Sequence, residues 1–203
     1  MKSELYQKLF FELKKIPSLS KKQISKIIEY FLECSESNIL DLNSLILNFK
    51  RSTKKCSICN YLNNQDICYI CSDNLRDKKL MIVEQSADID KFEELKIYKG
   101  KYFVFDTFYD LKENNDYFFE LIDELKNLCK SYNEIILAFN LSIIGRLTME
   151  MIKKILYKDF KNLEIYQLSS GLPLNGSVEY ADPTTLKESL DNKINLKRNS
   201  NEK

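Results

Sequence analysis

The chain has 203 residues, with 31 Lys or Arg, 30 Asp or Glu, no histidine, 44% apolar residues and a net charge of +1. That length supports one main domain with smaller attachments, and no apolar stretch is long enough to span a bilayer. The absence of histidine excludes imidazole bases, imidazole metal ligands and Ser-His-Asp chemistry, which leaves carboxylates, thiolates and lysines for any catalysis.

The charge is unevenly spread. Residues 1–60 carry 11 Lys or Arg against 6 Asp or Glu, and the remainder carries 20 against 24. A basic front end is where a polyanion would sit, although a Lys-rich solvated surface gives the same count. Leu5, Leu9, Phe10 and Leu13 recur at helical spacing, as do Ile24, Ile27, Ile28, Phe31 and Leu32. Between the two runs, Pro17 and the flanking serines break the first helix, and Ser20 is placed to cap the second. A helix, hairpin, helix outline of this kind can turn backbone N–H groups and a helix N-terminus toward a phosphate. Lys22 and Lys26, one helical turn apart, are the candidate DNA contacts, and such contacts would be independent of base sequence. Most helical hairpins simply pack, however.

A third helix is expected around Asn38 to Phe49, leading through Lys50-Arg51-Ser52-Thr53-Lys54-Lys55 to Cys56, Cys59, Cys68 and Cys71. Two C-x-x-C pairs separated by eight residues complete a tetrahedral sulfur shell and leave no open position. The expected cofactor is therefore one structural Zn2+ per chain, not a water-activating metal. Two disulfides would use the same residues, but Met1 to Lys15 carries no apolar signal segment and a reducing cytosol disfavours them. Cys34 and Cys129 have no partner at ligand spacing and are expected to be small buried hydrophobes.

Beyond Cys71 the pattern changes to short β-rich runs at Leu80 to Val83, Tyr102 to Phe105, Ile135 to Phe139 and Leu163 to Leu168. Helical patterns lie between them at Tyr117 to Cys129 and Arg146 to Tyr157. This alternation predicts a parallel sheet covered on both faces. Sites in such sheets gather at the carboxyl ends of strands, where Glu84 stands with Asp88 four residues on. Two acids without a third make a poor magnesium site, and Asn140-Leu141-Ser142 on the neighbouring strand brings none. Ser169 to Gly176 is rich in turn formers. Asp182 and Pro183 then suit the cap and first position of a short helix, and the chain from Lys193 on is expected to fray.

Taken in order, these pieces resemble the bacterial recombination mediator family RecR over nearly the whole length. The motifs that carry the likeness are the hairpin start, the cysteine knuckle running on as Cys71-Ser72-Asp73 and Arg76-Asp77, and Ile82-Val83-Glu84 with Asp88, which looks like the opening of a Toprim domain. Gly171-Leu172-Pro173, Glu179-Tyr180-Ala181-Asp182 and Thr185-Leu186 complete it.

The resemblance implies an α+β chain of several parts. These are a helix-hairpin-helix DNA-binding region at 1–52, a four-cysteine zinc finger at 53–76, an α/β Toprim domain with a parallel sheet at 77–170, and a C-terminal hairpin and helix segment at 171–203 with a Walker-B-like motif and flexible tail. It also implies a cytoplasmic, nucleoid-associated DNA-repair accessory factor and not an enzyme. Such a protein would form a homo-oligomeric ring, a tetramer, that clamps DNA and acts with RecO, and with RecF in some bacteria, to help RecA replace single-strand-binding protein (SSB). In that setting Lys22 and Lys26 contact DNA, while Glu84 and Asp88 lie where partner proteins engage.

Three departures stand out. Serines flank Leu19 where the family usually has glycines, and both acids of the second Toprim motif are absent around Asn140 and Ile144-Gly145-Arg146. Asp106-Thr107-Phe108-Tyr109-Asp110 replaces a glycine-rich, proline-containing loop. The alternative from another class is a metal-dependent Toprim nuclease or primase-like enzyme using Glu84 and Asp88.

Overall fold

A computed structural model of the chain describes residues 3–16, 19–111, 115–169, 171–172 and 175–192. Pro17 and Ser18 of the expected hairpin, Ser170, Pro173 and Leu174 of the expected turn, and the tail from Lys193 lie outside the described residues. The chain separates into two compact units, Met1–Lys54 and Lys55–Lys203.

The first unit holds three helices, α1 (Glu4–Lys14), α2 (Lys21–Glu33) and α3 (Glu36–Ser52). Each begins at a serine whose side chain accepts a backbone N–H of the first turn: Ser3 from Tyr6, Ser20 from Gln23 and Ser35 from Asn38. At Ser20 the Gln23 side chain returns the bond to the Ser20 N–H, which makes a capping box and fixes the start of α2 where the sequence pattern places it. Ile24 and Ile28, one turn apart, are buried, and the Tyr6 and Ser25 hydroxyls meet at 3.3 Å between α1 and α2. Helix α3 buries no residue. Cys34, expected in a core, is only half-buried because it caps α2 in an extended conformation just past the helix.

A two-residue ribbon, β1 (Lys54–Lys55) with β2 (Leu62–Asn63), starts at the boundary of the two units, and a single turn, α4 (Tyr69–Ser72), comes next in the second. A four-stranded parallel sheet follows, built from β3 (Lys79–Val83), β4 (Lys101–Val104), β5 (Glu134–Ala138) and β6 (Glu164–Gln167) in the order β4-β3-β5-β6. Helices α5 (Ser86–Leu95), α6 (Asp116–Cys129) and α7 (Ile143–Asp159) make the crossovers.

Because successive side chains of a strand point to opposite faces, the sheet needs two separate covers. Leu80, Ile82, Phe103, Ile135 and Leu137 form one core with Phe118, Leu121, Leu125, Ile152 and Leu156 of α6 and α7. Met81, Val83, Tyr102 and Val104 form the other with Ile89 of α5, Ile70 and the four cysteines at 56, 59, 68 and 71. The cysteine knuckle is thus one of the two lids on the central sheet. The last described helix, α8 (Pro183–Asp191), starts as expected, with Asp182 accepting the Thr184 and Thr185 amides and Pro183 in the first turn.

Candidate functional site

The knuckle is shaped by its backbone. Cys56 donates its N–H to Tyr61 O, Asn60 donates to Cys56 O, and Asn60 takes φ 61°, a left-handed turn that asparagine tolerates better than most residues. Two amides point at sulfur, Cys68 N to Cys56 Sγ at 3.3 Å and Cys71 N to Cys68 Sγ at 3.4 Å. All four Sγ atoms are buried and lie within 4.8 Å of one another, and Cys59 and Cys68 are 3.6 Å apart. Four sulfurs at about 2.3 Å from one tetrahedral ion stand about 3.8 Å apart, so the spacing fits a single metal ion. The four thiols compete for protons: hydrogen bonds from Cys59 and then Cys71 pull the Cys68 thiol down, while the hydrogen bond to Cys68 pushes Cys59 up. A dication relieves this competition by displacing protons. Cys129 stands apart in the other core, where burial pushes its thiol up to about 12.

The knuckle is held to the sheet by directed bonds as well as by packing. Val104 N donates to Cys59 O, Lys101 Nζ to Cys71 O, both at 2.8 Å, and Tyr61 Oη to Asp90 at 2.6 Å. Just after it, Arg76 forks onto Glu93 and donates to Gly100 O, and Tyr102 Oη also donates to Glu93. The Arg76 hydrogen bond holds Glu93 below the usual carboxylate range. Neither anchor is visible from motif spacing, since Arg76 and Glu93 are 17 residues apart along the chain, Cys71 and Lys101 are 30 apart, and Cys59 and Val104 are farther still.

Glu84 and Asp88 both sit at the carboxyl edge of the sheet, and both are engaged locally. Glu84 accepts the Asn140 N–H at 2.6 Å and the Asn140 side-chain amide at 2.7 Å, tying the end of β3 to the end of β5. Asp88 accepts the Gln85 N–H at 3.1 Å and closes the first turn of α5. Next to them, Asp106 accepts from Lys55 at 2.7 Å and Tyr117 at 2.8 Å. Burial works against its ionisation, but these bonds outweigh it and hold Asp106 below its usual range. Gly145 is required where it stands: a Cβ there would lie 2.1 Å from Asn140 O. The sequence reading keeps Asn140 as the asparagine of a motif that has lost its acids and gives it no partner, and the structure makes it the partner of Glu84. Among the described residues the four cysteines are the only group of three or more ligand-type side chains arranged for a metal.

Lys22 and Lys26 lie on the exposed side of α2, away from Ile24 and Ile28, and form no ion pair among the described residues. No helix among the described residues is long and apolar enough to cross a membrane.

Comparisons with known proteins bear on both halves of the chain. Residues 78–169 match the Toprim domain model and residues 171–194 match the model of the RecR C-terminal region. Curated relatives named recombination protein RecR match along the length. The protein of Mycoplasmopsis pulmonis is 36% identical over 95% of this chain and 100% of its own. That of Ureaplasma urealyticum serovar 10 is 34% identical over 95% and 96%, and that of Francisella philomiragia 30% identical over 91% and 92%.

Proposed function

The chain belongs to the RecR family of recombination proteins, and from that premise we propose that it is a non-enzymatic mediator of DNA repair and recombination. It assembles as a homo-oligomeric ring, a tetramer, clamps DNA without regard to sequence, and acts with RecO, and with RecF where present, to help load RecA on SSB-coated single-stranded or gapped DNA in the cytoplasm. The observation that carries the DNA role is the pair Lys22 and Lys26, exposed, unpaired among the described residues, and one turn apart on the capped helix α2. Many such lysines around a ring sum weak phosphate contacts into firm binding.

One Zn2+ per chain is proposed at Cys56, Cys59, Cys68 and Cys71, where four buried thiolates leave no room for substrate or water. Glu84 and Asp88 are proposed to serve partner binding by fixing the carboxyl edge of the sheet: Glu84 holds the Asn140 turn and Asp88 the start of α5. The same two engagements argue against a magnesium-dependent nuclease or primase.

The test is fluorescence anisotropy on gapped and single-stranded DNA across a salt series, with the mass in solution measured in the same buffer. Lys22→Glu with Lys26→Glu is expected to abolish binding at physiological salt while the oligomer survives. Undiminished binding by that variant would remove the assignment.

A further inference from the structure

The second unit, acidic as a whole, is strongly segregated in charge. The segments that enter the four parallel strands, 73–79, 96–101, 130–134 and 160–164, carry eight Lys or Arg against four Asp or Glu. The opposite, carboxyl edge carries Glu84, Asp88, Asp106 and Asp110.

Of the four acids on the amino edge, Asp73 pairs with Arg76 and Glu134 with Lys79, while Asp77 and Glu164 form no ion pair among the described residues; nearby, Glu93 pairs with Arg76 and Asp159 with Lys126. Lys78, Lys96, Lys99, Lys130 and Lys161 are exposed and form no ion pair among the described residues. Backbone hydrogen bonds set them in order, because Asp77 N donates to Lys99 O, Asn133 N to Lys78 O and Glu164 N to Asn133 O. The lysines therefore follow the strand order β4-β3-β5-β6 as a row. Three inter-strand steps of about 4.8 Å give a row of about 14 Å, long enough to meet successive phosphates of one strand. Two hollows lie along it. One, of about 310 Å3, is lined by Lys96 and Lys99 beside Arg76 with its partners Asp73 and Glu93, and one of about 400 Å3 by Lys130, Lys161, Asn133 and Asn162.

We propose that this lysine row at the amino edge of the Toprim sheet is a second nucleic-acid contact, taking the phosphodiester backbone of a single strand independently of base sequence. The inference rests on the DNA-binding reading above and extends it from the first unit to the second. Lysines near helix C-termini also offset the helix dipole, which accounts for Lys96, Lys130 and Lys161 at the ends of α5, α6 and α7. Lys78 and Lys99 lie outside any helix terminus, and an unpaired row spanning all four strands is more than that effect requires.

The experiment compares wild type with Lys78→Gln/Lys99→Gln/Lys130→Gln/Lys161→Gln and with the matching four-fold Lys→Arg protein. It uses a labelled single strand and a gapped duplex across a sodium chloride series, with mass, zinc content and melting temperature recorded for each protein. Each lost phosphate contact removes about 0.7 to 0.9 from the slope of log Kobs against log salt, so the Gln protein is expected to be shallower by about 3 and the Arg protein unchanged. A Gln protein that is folded, zinc-loaded and unchanged in slope overturns the proposal. A fall in mass at unchanged slope also overturns it and assigns the row to the acidic edge of a second copy. Wild type that binds no DNA at low salt removes the DNA reading itself, and this surface with it.

Discussion

Glu84 accepts both nitrogens of Asn140 in bonds of 2.6 and 2.7 Å, so it acts as a clamp between two strand ends. Glu84→Gln keeps the shape but turns one acceptor into a donor facing a donor. Hydrogen bonds to a charged group contribute about 1.5–3 kcal/mol, and the site is half-buried, so a loss of about 1–2 kcal/mol in urea unfolding is expected. Millimolar magnesium is expected to leave the wild-type melting temperature unmoved, whereas a rise of several degrees that disappears in Glu84→Gln would restore the metal-dependent alternative. Glu93 makes a separate case through its protons. Its folded pKa is held below the unfolded value, chiefly by the Arg76 hydrogen bond. Its contribution is therefore fully present above the unfolded carboxylate value of about 4.3 and is lost as pH falls through the lower folded one. The urea midpoint should drop more between pH 7 and pH 3.5 in wild type than in Glu93→Gln, and equal drops would show that the Arg76 pair carries none of the acid sensitivity.

The cysteine knuckle and the sheet share one core, which changes what metal loss should do. Structural zinc sites contribute about 10–16 kcal/mol of apparent free energy in isolated peptides, as much as the whole stability of a typical domain. Because the four cysteines pack directly on Met81, Val83, Tyr102 and Val104, stripping the metal is expected to melt the β3-β4 side of the sheet along with the knuckle. Cys68→Ser should therefore abolish bound zinc and weaken amide-exchange protection at Met81 and Tyr102. Protection retained there in metal-free protein would show that the lid is separable. The cysteine spacing, the four strands, α6, α7 and the caps at Ser20 and Asp182 were all legible in the sequence, because each has a local cause: ligand spacing, apolar periodicity or a side chain beside its own helix. Helix α5 was not legible, since its short apolar row, Ile89, Phe92 and Leu95, is outnumbered by charged residues and only Ile89 is fully buried. Nor was the use of the knuckle as a lid, or the Glu84 to Asn140 clamp across 56 residues, because these depend on which strands become neighbours.

The chain is nearly neutral, yet lysines without an ion pair among the described residues stand on α2 in the first unit and along the amino edge of the sheet in the second. Binding by separate lysine groups should have a recognisable salt signature, because each group adds its own share of counterion release and the shares sum in the slope rather than in any one contact. Reversing Lys22 and Lys26 puts like charge against phosphate, so binding at about 0.15 M salt should vanish. Below about 0.05 M salt, where the Debye length exceeds 10 Å, the lysine row should still hold single-stranded DNA weakly in that variant. Combining the hairpin reversals with the four-fold Lys→Gln change should then remove the residual binding, while circular dichroism and zinc content stay as in wild type. If the residual binding survives the combined change, the lysines that hold it lie on neither surface. If it is absent from the hairpin variant alone, α2 carries the whole contact, and the net charge of the first unit suffices to explain binding.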